Sequence, residues 1–371
     1  MPEQSSTPFY AKLSHNLLSI VLICLIIYLG SDILMPLFFA IVLAILLMPI
    51  SNWLIKKGLP KVPSMFIAIL LALLFISGVL YFLSSQVANF MGDLPKIKQH
   101  LNEHWHTVQQ WISKTFHYSY KEQDQAISQA TAEMKGSGSG IVGNTLLSAV
   151  SALIYVVLLP IYTFLIMYYH GLIRKFLIDS FSDQHKGSVG EVIEESKTIV
   201  QGYMVGLLIE MAIVAALNAT AFFIIGIEYA IFLAVLVAIL NMIPYVGMLV
   251  ATIICMLITL TTTDNLSDVL WVGLALTIVQ FIDNNLLMPY VVSSKVRINA
   301  LVSIVGVLIG GALAGVSGMF LSIPGVAILK AIFDRVEGLK PWGMLMGDDL
   351  SMVNKKRKYS LRKSATPNKA K

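Results

Sequence analysis

A polar cluster interrupts the apolar sequence near position 283. Asp283 is preceded by Gln280 and followed by Asn284, Asn285 and Pro289. On a helix, spacings of three and four residues place Gln280 on one face with Asp283 or Asn284, so a carboxylate gains amide neighbours. An ionised aspartate in the middle of a bilayer costs about 2.5–3.5 kcal/mol on insertion scales, and such residues usually face a cavity or a partner. The cluster therefore predicts a substrate or ion pathway.

Glu210 is the second candidate carboxylate, within an apolar run from 207 to 211. Like Asp283, it can coordinate a cation or exchange a proton if it lies inside the membrane. The alternative is an interfacial glutamate close to a helix end. The residues leave both interpretations of Glu210 open and favour a functional one for Asp283.

The segment from Asn241 to Gly247, which contains Pro244 and Tyr245, lies within a run that has no charged residue from 229 to 263. Proline lacks a backbone donor and glycine relaxes the chain, so backbone groups are freed at membrane depth. Broken helices are tolerated in membranes mainly where they are buried in protein or line a water-filled cavity. We expect a broken helix that contributes to the pathway, as in many secondary transporters; the alternative is a simple kink.

The composition requires a membrane for these groups to lie in. Of 371 residues, 57% are hydrophobic and 13% are charged, and the mean hydropathy is +0.78. A soluble chain carries about a quarter of its residues as charges. Each of four stretches without Asp, Glu, Lys or Arg exceeds the roughly 20 residues that a spanning helix needs: residues 62–92, 136–169, 229–263 and 298–329. The sequence therefore predicts an all-α, polytopic integral membrane protein.

The topology follows from the basic residues. The apolar stretch 16–50 is broken at Gly30 and is long enough for two spans, and the next loop carries Lys56, Lys57 and Lys61 without an acidic residue. The positive-inside rule places that loop in the cytoplasm. The resulting division is a cytoplasmic N-terminal tail (1–15), three membrane helices (16–88), an extracytoplasmic helical insertion (89–140), a fourth membrane helix (141–170), a cytoplasmic amphipathic helix (171–201), a C-terminal membrane bundle (202–334) and a basic cytoplasmic tail (335–371).

The C-terminal bundle admits two arrangements. It must cross an even number of times if the basic tail ends inside, because residue 202 also starts from the cytoplasm. One arrangement has four full spans; the other makes 202–226 and 300–333 re-entrant or broken hairpins, which places Lys295 and Arg297 inside. Glycines at four-residue spacing, such as Gly306 and Gly310, favour close helix packing.

The sequence gives little support for a metal site, a disulfide or nucleic-acid binding. His100 and His104 are one turn apart, but no acidic or cysteine partner completes a ligand set, so we expect no metal site. Cys24 and Cys255 lie in apolar runs and predict neither a metal site nor a disulfide. The basic tail suits an anionic leaflet or a solubilising role better than nucleic acid. The N-terminus lacks the features of a removable signal peptide, so we expect the first apolar segment to stay in the membrane.

The polar segments, in their order and spacing, closely resemble the autoinducer-2 exporter (AI-2E) family of bacterial membrane proteins. The resemblance is carried by residues 240–247, by 279–285 with Pro289, and by 315–318 leading to 323–325. It implies about eight membrane helices, cytoplasmic termini, homo-oligomers and transport, assigned either to export of autoinducer-2 or to sodium/proton exchange. The chain departs from the family pattern at Met248, where proline is common, and after Pro289, where a glycine is expected.

Three classes of function compete. The first is a secondary transporter that moves a small solute or ion across the bacterial inner membrane, with a sodium (lithium)/proton antiporter as its alternative form. A non-transport membrane scaffold is the second. An enzyme is not expected: residues 315–318 match the GxSG pattern of rhomboid proteases, but no histidine follows Ser317, and a nucleophilic serine needs a base. No phosphate-binding loop or other cofactor motif is present.

Overall fold

The computed structural model describes residues 9–93, 141–263, 265–292 and 298–348, together with isolated helical positions between 95 and 114. The described residues are helical, with short turns and no strand. His104, most of the predicted insertion 89–140, and most of the basic tail 335–371 lie outside the described residues. The all-α prediction is confirmed for the part of the chain that the structure describes.

Ten α-helices are described along the chain. A π-helix, Asp283–Val292, and a 3₁₀ turn, Glu337–Leu339, accompany them. The α-helices are α1 (Phe9–Leu29), α2 (Ser31–Lys56), α3 (Lys61–Gly92), α4 (Ile141–Asp179), α5 (Asp183–Ile225), α6 (Ala230–Asn241), α7 (Val246–Thr262), α8 (Leu266–Ile282), α9 (Ala300–Arg335) and α10 (Lys340–Met346).

Six of the described helices are long and apolar enough to cross a membrane, and three shorter apolar helices accompany them. The long ones are α2, α3, α4 from Val156, α5, α8 with its π-helical continuation, and α9. Large apolar side chains stay exposed along them, as Leu74 on α3 and Leu270 on α8 illustrate. Such a surface suits hydrocarbon rather than water, so the chain is a multi-pass membrane protein.

The bounds of α4 and α5 differ from the predicted division. The fourth helix continues to Asp179 rather than ending near 170, and a short turn separates it from α5. The segment predicted as one amphipathic helix, 171–201, is thus shared between two helices. With 43 residues, α5 is about 65 Å long. It therefore extends well beyond an apolar layer of about 30 Å.

Two short helices, α6 and α7, form a hairpin at the centre of the bundle. They contain 12 and 17 residues, or about 18 Å and 26 Å, so neither reaches across the apolar layer of about 30 Å. Leu233 and Val237 of α6 are completely buried, as is Phe222 of α5, and they belong to the largest hydrophobic cluster. Tight packing around α6 fixes the position of the hairpin tip, residues 242–245, which is half-buried except for the exposed Tyr245.

The last long helix, α9, is folded back on itself. Ala314 and Gly315 have non-helical dihedral angles, and Gly315 takes φ +58° and ψ −142°, which favours glycine. Gly310 and Gly318 lie face to face, because a Cβ atom on either would overlap the other's carbonyl oxygen. The predicted close packing by Gly310 thus occurs between two arms of one hairpin, whereas Gly315 supplies the bend.

Each of the two arrangements predicted for the C-terminal bundle holds in part. Residues 202–226 belong to the single continuous helix α5 up to Ile225, as in the arrangement with four spans, and the hairpin predicted for them is wrong. Residues 300–333 form the broken hairpin of the other arrangement. The reason is local: α5 contains no proline and its glycines Gly202 and Gly206 stay helical, whereas Gly315 near the middle of α9 takes a positive φ.

Polar contacts join helices at both ends of α5. Near its C-terminal end, the Tyr229 hydroxyl donates a hydrogen bond to the Asp93 carboxylate, which follows α3. Near its N-terminal end, Arg335 of α9 pairs with Glu191 at 3.5 Å and also with Glu195. The end of α9 is therefore attached near the start of α5, and the end of α3 is attached to the residue that precedes α6, just beyond the end of α5.

Replacing Gly318 with alanine tests the α9 hairpin. The added Cβ would overlap the Gly310 carbonyl, so the arms must separate, and overpacking of this kind costs about 1–3 kcal/mol. We expect a lower thermal unfolding midpoint for the purified protein in detergent. Gly325→Ala in the same helix is the control, since its Cβ would meet no atom within 4 Å. Equal midpoints for the two variants would show that the arms are not in contact.

Candidate functional site

The predicted polar segments meet around one cavity of about 870 Å³. It lies between α5, the tip of the α6–α7 hairpin, the junction of α8 with its π-helix, and α9. Most of the predicted residues line it, namely Glu210, Asn241, Pro244, Tyr245, Gln280, Asp283 and Asn284. Since these residues span more than 70 positions of sequence, only the packing of four elements brings them together.

The two carboxyl groups lie side by side at the cavity wall. Glu210 is 4% exposed and Asp283 is 2% exposed, and their side chains are close enough to interact directly. The interfacial alternative for Glu210 is therefore wrong for this fold, because the residue is buried in the middle of α5. Glu210 Oε2 and Asp283 Oδ1 are both buried without a hydrogen-bond partner among the described residues.

Asn241 joins the hairpin tip to this carboxyl pair. It is the last residue of α6, and its Nδ2 donates to Asp283 Oδ2 at 3.0 Å. One oxygen of Asp283 is therefore satisfied by protein, while the other has none of the described groups as a donor. A buried carboxylate oxygen without a donor is costly, and the open oxygen is the natural place for a proton or a cation.

The hairpin tip has a strained backbone. Tyr245 has φ +64° and ψ −45°, and the Val246 amide donates to the Pro244 carbonyl at 2.7 Å. An i to i+2 hydrogen bond around a residue of positive φ is the rare, strained form of the γ-turn. Gly247 is required beside it, because a Cβ there would overlap the Leu240 carbonyl. The break is therefore a tight reversal of the chain rather than a simple kink.

The polar side chains at the end of α8 and the start of its π-helix form two separate sets of contacts. Gln280 Nε2 donates to Asn284 Oδ1 at 3.0 Å, so the predicted pairing of Gln280 occurs with Asn284 rather than with Asp283. From Asp283 the helix widens to a π-helix, in which Pro289 offers no backbone donor. A π-helix is rare and frequently marks a functional site.

Three predicted residues do not line the cavity. Asn285 is exposed, and its amide donates to the Phe281 carbonyl at 2.8 Å. Pro289 lies further along the π-helix, and Gly247 is buried behind the hairpin tip. Their contribution is to the backbone geometry of the two broken helices rather than to the cavity wall.

Several cavity residues were not predicted. Tyr203 precedes Glu210 by seven residues, so it lies on the same face of α5 two turns away, and it is 2% exposed. The seven-residue spacing from Glu210 could have identified Tyr203 as a cavity residue from the sequence. Thr252, Thr277 and Ser303 add hydroxyl groups from α7, α8 and α9. No pattern near them in sequence distinguishes them from other membrane hydroxyls, which commonly bond to their own helix.

The oxygen atoms that line the cavity indicate which ligands it can bind. Carboxylate, amide and hydroxyl oxygens suit protons and hard cations, whereas transition metals prefer nitrogen and sulfur ligands. Among the described residues, no group of three or more His, Cys, Asp or Glu side chains could hold a metal ion. A polar cavity formed by broken helices within an apolar bundle is the arrangement of membrane transport proteins.

The comparison with known families agrees with this class. A model of the AI-2E family of transporters matches residues 17–338. This range covers most of the chain and includes every predicted site residue. The chain belongs to the AI-2E transporter family, and it is a membrane transport protein.

Individual relatives also match over most of the chain. YrrI of Bacillus subtilis (strain 168), named as a candidate transport protein, is 26% identical over 81% of this chain and 86% of its own length. PerM of Escherichia coli (strain K12), named as a candidate permease, is 29% identical over 83% of this chain and 88% of its own. YhhT of the same strain, named as a candidate transport protein, is 20% identical over 93% of this chain and 96% of its own length.

Replacement of Tyr245 with glycine and with alanine separates the ring from the backbone strain. Both variants lose the ring, but only glycine takes a positive φ at little cost. We expect the glycine variant to be more stable than the alanine variant by about 1 kcal/mol. Thermal unfolding of the two proteins in the same detergent measures the difference. A more stable alanine variant would contradict the strained turn.

Proposed function

We propose that this protein is a secondary transporter of the bacterial inner membrane, in which Glu210 and Asp283 bind and exchange a monovalent cation or a proton. The observation that carries the proposal is the buried pair of carboxyl groups at the wall of an open cavity. Both groups have one oxygen without a hydrogen-bond partner in the described structure.

The electrostatics of the pair favour exchange. Two neighbouring carboxylates removed from water repel each other and lose their hydration, so both cannot remain ionised without a compensating charge. A proton shared between them or a sodium ion bound across them supplies that charge equally well. Competition between the two ions for one pair of carboxylates couples the movement of one ion to that of the other, which is antiport.

The size of the cavity supports movement of a larger solute as a second candidate. A volume of about 870 Å³ falls in the range of small-molecule sites, about 300–1,000 Å³. Amide groups of Asn241, Gln280 and Asn284 and the hydroxyls of the wall can bind a polar organic solute, autoinducer-2 being one candidate. The cavity also has exposed apolar residues at its rim, including Leu249 and Phe281.

The helix order and the basic residues support one membrane orientation. The lysines after α2 place that end of the bundle in the cytoplasm by the positive-inside rule. Between 202 and 335 the chain then crosses twice, through α5 and through α8, while the α6–α7 and α9 hairpins return to the side from which they enter. Two crossings are an even number, which supports cytoplasmic N- and C-termini.

Reconstitution in liposomes tests the transport proposal. Purified protein with an imposed sodium, lithium or proton gradient is expected to show coupled cation and proton flux, reported by a trapped pH dye. Glu210→Gln and Asp283→Asn should each reduce flux to the level of empty liposomes, because each removes one of the exchanging carboxylates. Autoinducer-2 flux is measured in the same liposomes.

Matched controls use carboxylates of the same helices. Glu194→Gln changes an exposed residue of α5, and Asp268→Asn changes one in the first turn of α8; both should transport like the wild type. Retained coupling in the Glu210 and Asp283 variants would refute the carboxylate pair as the exchange site. No flux of any substrate in the wild type would favour a membrane scaffold over a transporter.

We also propose that the protein is a homo-oligomer. Asn285 is exposed on the membrane-spanning helix formed by α8 and its π-helical continuation, outside the cavity, and polar side chains within the membrane usually face protein rather than lipid. A second copy is the partner that covers it. Light scattering of the solubilised protein should give a multiple of the chain mass of 40.8 kDa; a single chain in mild detergent would contradict the proposal.

A further inference from the structure

A second cavity of about 350 Å³ lies between the last turns of α2 and the first half of α5. It shares no residue with the cavity around the carboxyl pair. Its wall is formed by Met48, Pro49, Asn52, Trp53, Lys56, Lys197 and Gln201. The two helices are held together here by apolar packing of Val42, Ile45 and Leu46 of α2 against α5.

The polar groups of this second cavity are hydrogen-bond donors with a positive balance. Lys56 and Lys197 bring ammonium groups, and the amides of Asn52 and Gln201 bring neutral donors. The acid that pairs with Lys197 is Glu194, at 3.0 Å. The other two glutamates on this part of α5, Glu191 and Glu195, are engaged with Arg335. Two lysines against one glutamate leave a site that attracts an anion.

Lys56 differs from the other lysines in this region. The Lys57 ammonium lies 5.5 Å from the centre of the Trp53 ring, and that of Lys61 lies 5.7 Å from the Tyr168 ring. Both make cation–π contacts. Within the described part of the chain, Lys56 has neither an acidic nor an aromatic partner. Its charge is therefore left for a ligand in the cavity.

The position of the cavity indicates where the anion comes from. Lys56 ends the apolar helix α2, and Trp53 is 57% exposed, as expected for an aromatic residue at the level of the lipid headgroups. Ile50, one turn earlier, presents an exposed apolar side chain. A lipid can thus place its phosphate in the cavity and its acyl chains along α2. Basic pockets between membrane helices bind anionic lipid headgroups in this way.

We propose that the cavity formed by Asn52, Trp53, Lys56, Lys197 and Gln201 binds the phosphate of an anionic phospholipid headgroup. The two ammonium groups neutralise the phosphate oxygens, the amides donate to them, and Trp53 packs against the glycerol region. The bound lipid bridges α2 and α5 on their cytoplasmic halves. Neither the carboxyl pair nor the transported substrate enters this proposal.

Native mass spectrometry of the full-length protein tests the site. Protein released from nanodiscs of phosphatidylcholine with phosphatidylglycerol is expected to retain bound phosphatidylglycerol. Lys56→Gln combined with Lys197→Gln should weaken this binding at least about tenfold, since each of these ammonium groups contributes a charge-assisted contact with the phosphate inside the cavity. Lys57→Gln combined with Lys61→Gln is the control at the same end of the molecule, and it should have a much smaller effect.

Further variants and a measurement with inorganic phosphate distinguish a defined lipid site from the alternatives. Lys56→Arg combined with Lys197→Arg keeps both charges and should retain the lipid, which shows that the charge is what the site requires, and the glutamine variant should keep the wild-type thermal unfolding midpoint, which excludes misfolding. Equal loss in the two glutamine pairs would refute a defined site in favour of general surface attraction. Unchanged binding in the Lys56 and Lys197 variant would refute it outright. Tight binding of inorganic phosphate without lipid would overturn the lipid assignment in favour of a free anion.

Discussion

Two carboxyl groups lie next to each other inside the bundle, and the cost of removing them from water governs the structure around them. Glu210 and Asp283 are almost fully buried, and Asn241 gives Asp283 a hydrogen bond of 3.0 Å. A membrane-spanning helix cannot supply such donors from its own backbone, since its amides are already bonded. A side chain therefore supplies the donor, and Asn241 does so from the end of α6, which stops at this depth.

The broken helices meet this requirement with irregular backbone at three places. The α6–α7 hairpin reverses through a γ-turn at Tyr245, and its short arms are covered by α5 and α8. The π-helix after Asp283 is the second break, and the bend of α9 at Gly315 is the third. In hydrocarbon, irregular backbone is tolerated where protein surrounds it or where it lines a cavity. All three breaks lie within one bundle, and the first two are at its cavity.

The sequence predicted the class of fold and most of the cavity wall for a simple reason. Charge-poor runs longer than a bilayer requires can form only membrane helices, and a carboxylate or a Pro-Tyr-Val-Gly element inside such a run stands out against its background. Tyr203 was missed although its spacing to Glu210 pointed to it, because an aromatic residue in a membrane helix is common. The partner of Gln280 was also left open, since i to i+3 and i to i+4 neighbours are both within reach on a helix.

What the sequence by itself determined is that the chain is a polytopic helical membrane protein, with polar residues at Glu210, Asn241 and Asp283 inside apolar runs. Both facts are local, because hydropathy and helix-breaking residues act over about 20 neighbouring positions. Only the tertiary structure decided that α5 is continuous, that α9 is a hairpin, and that the two carboxyl groups share one wall. The shared wall depends on contact between segments more than 70 residues apart in sequence, those of Glu210 and Asp283, and packing complementarity over that separation leaves no local signal. For α5 and α9, the sequence does not distinguish Gly206, which stays helical, from Gly315, which takes a positive φ.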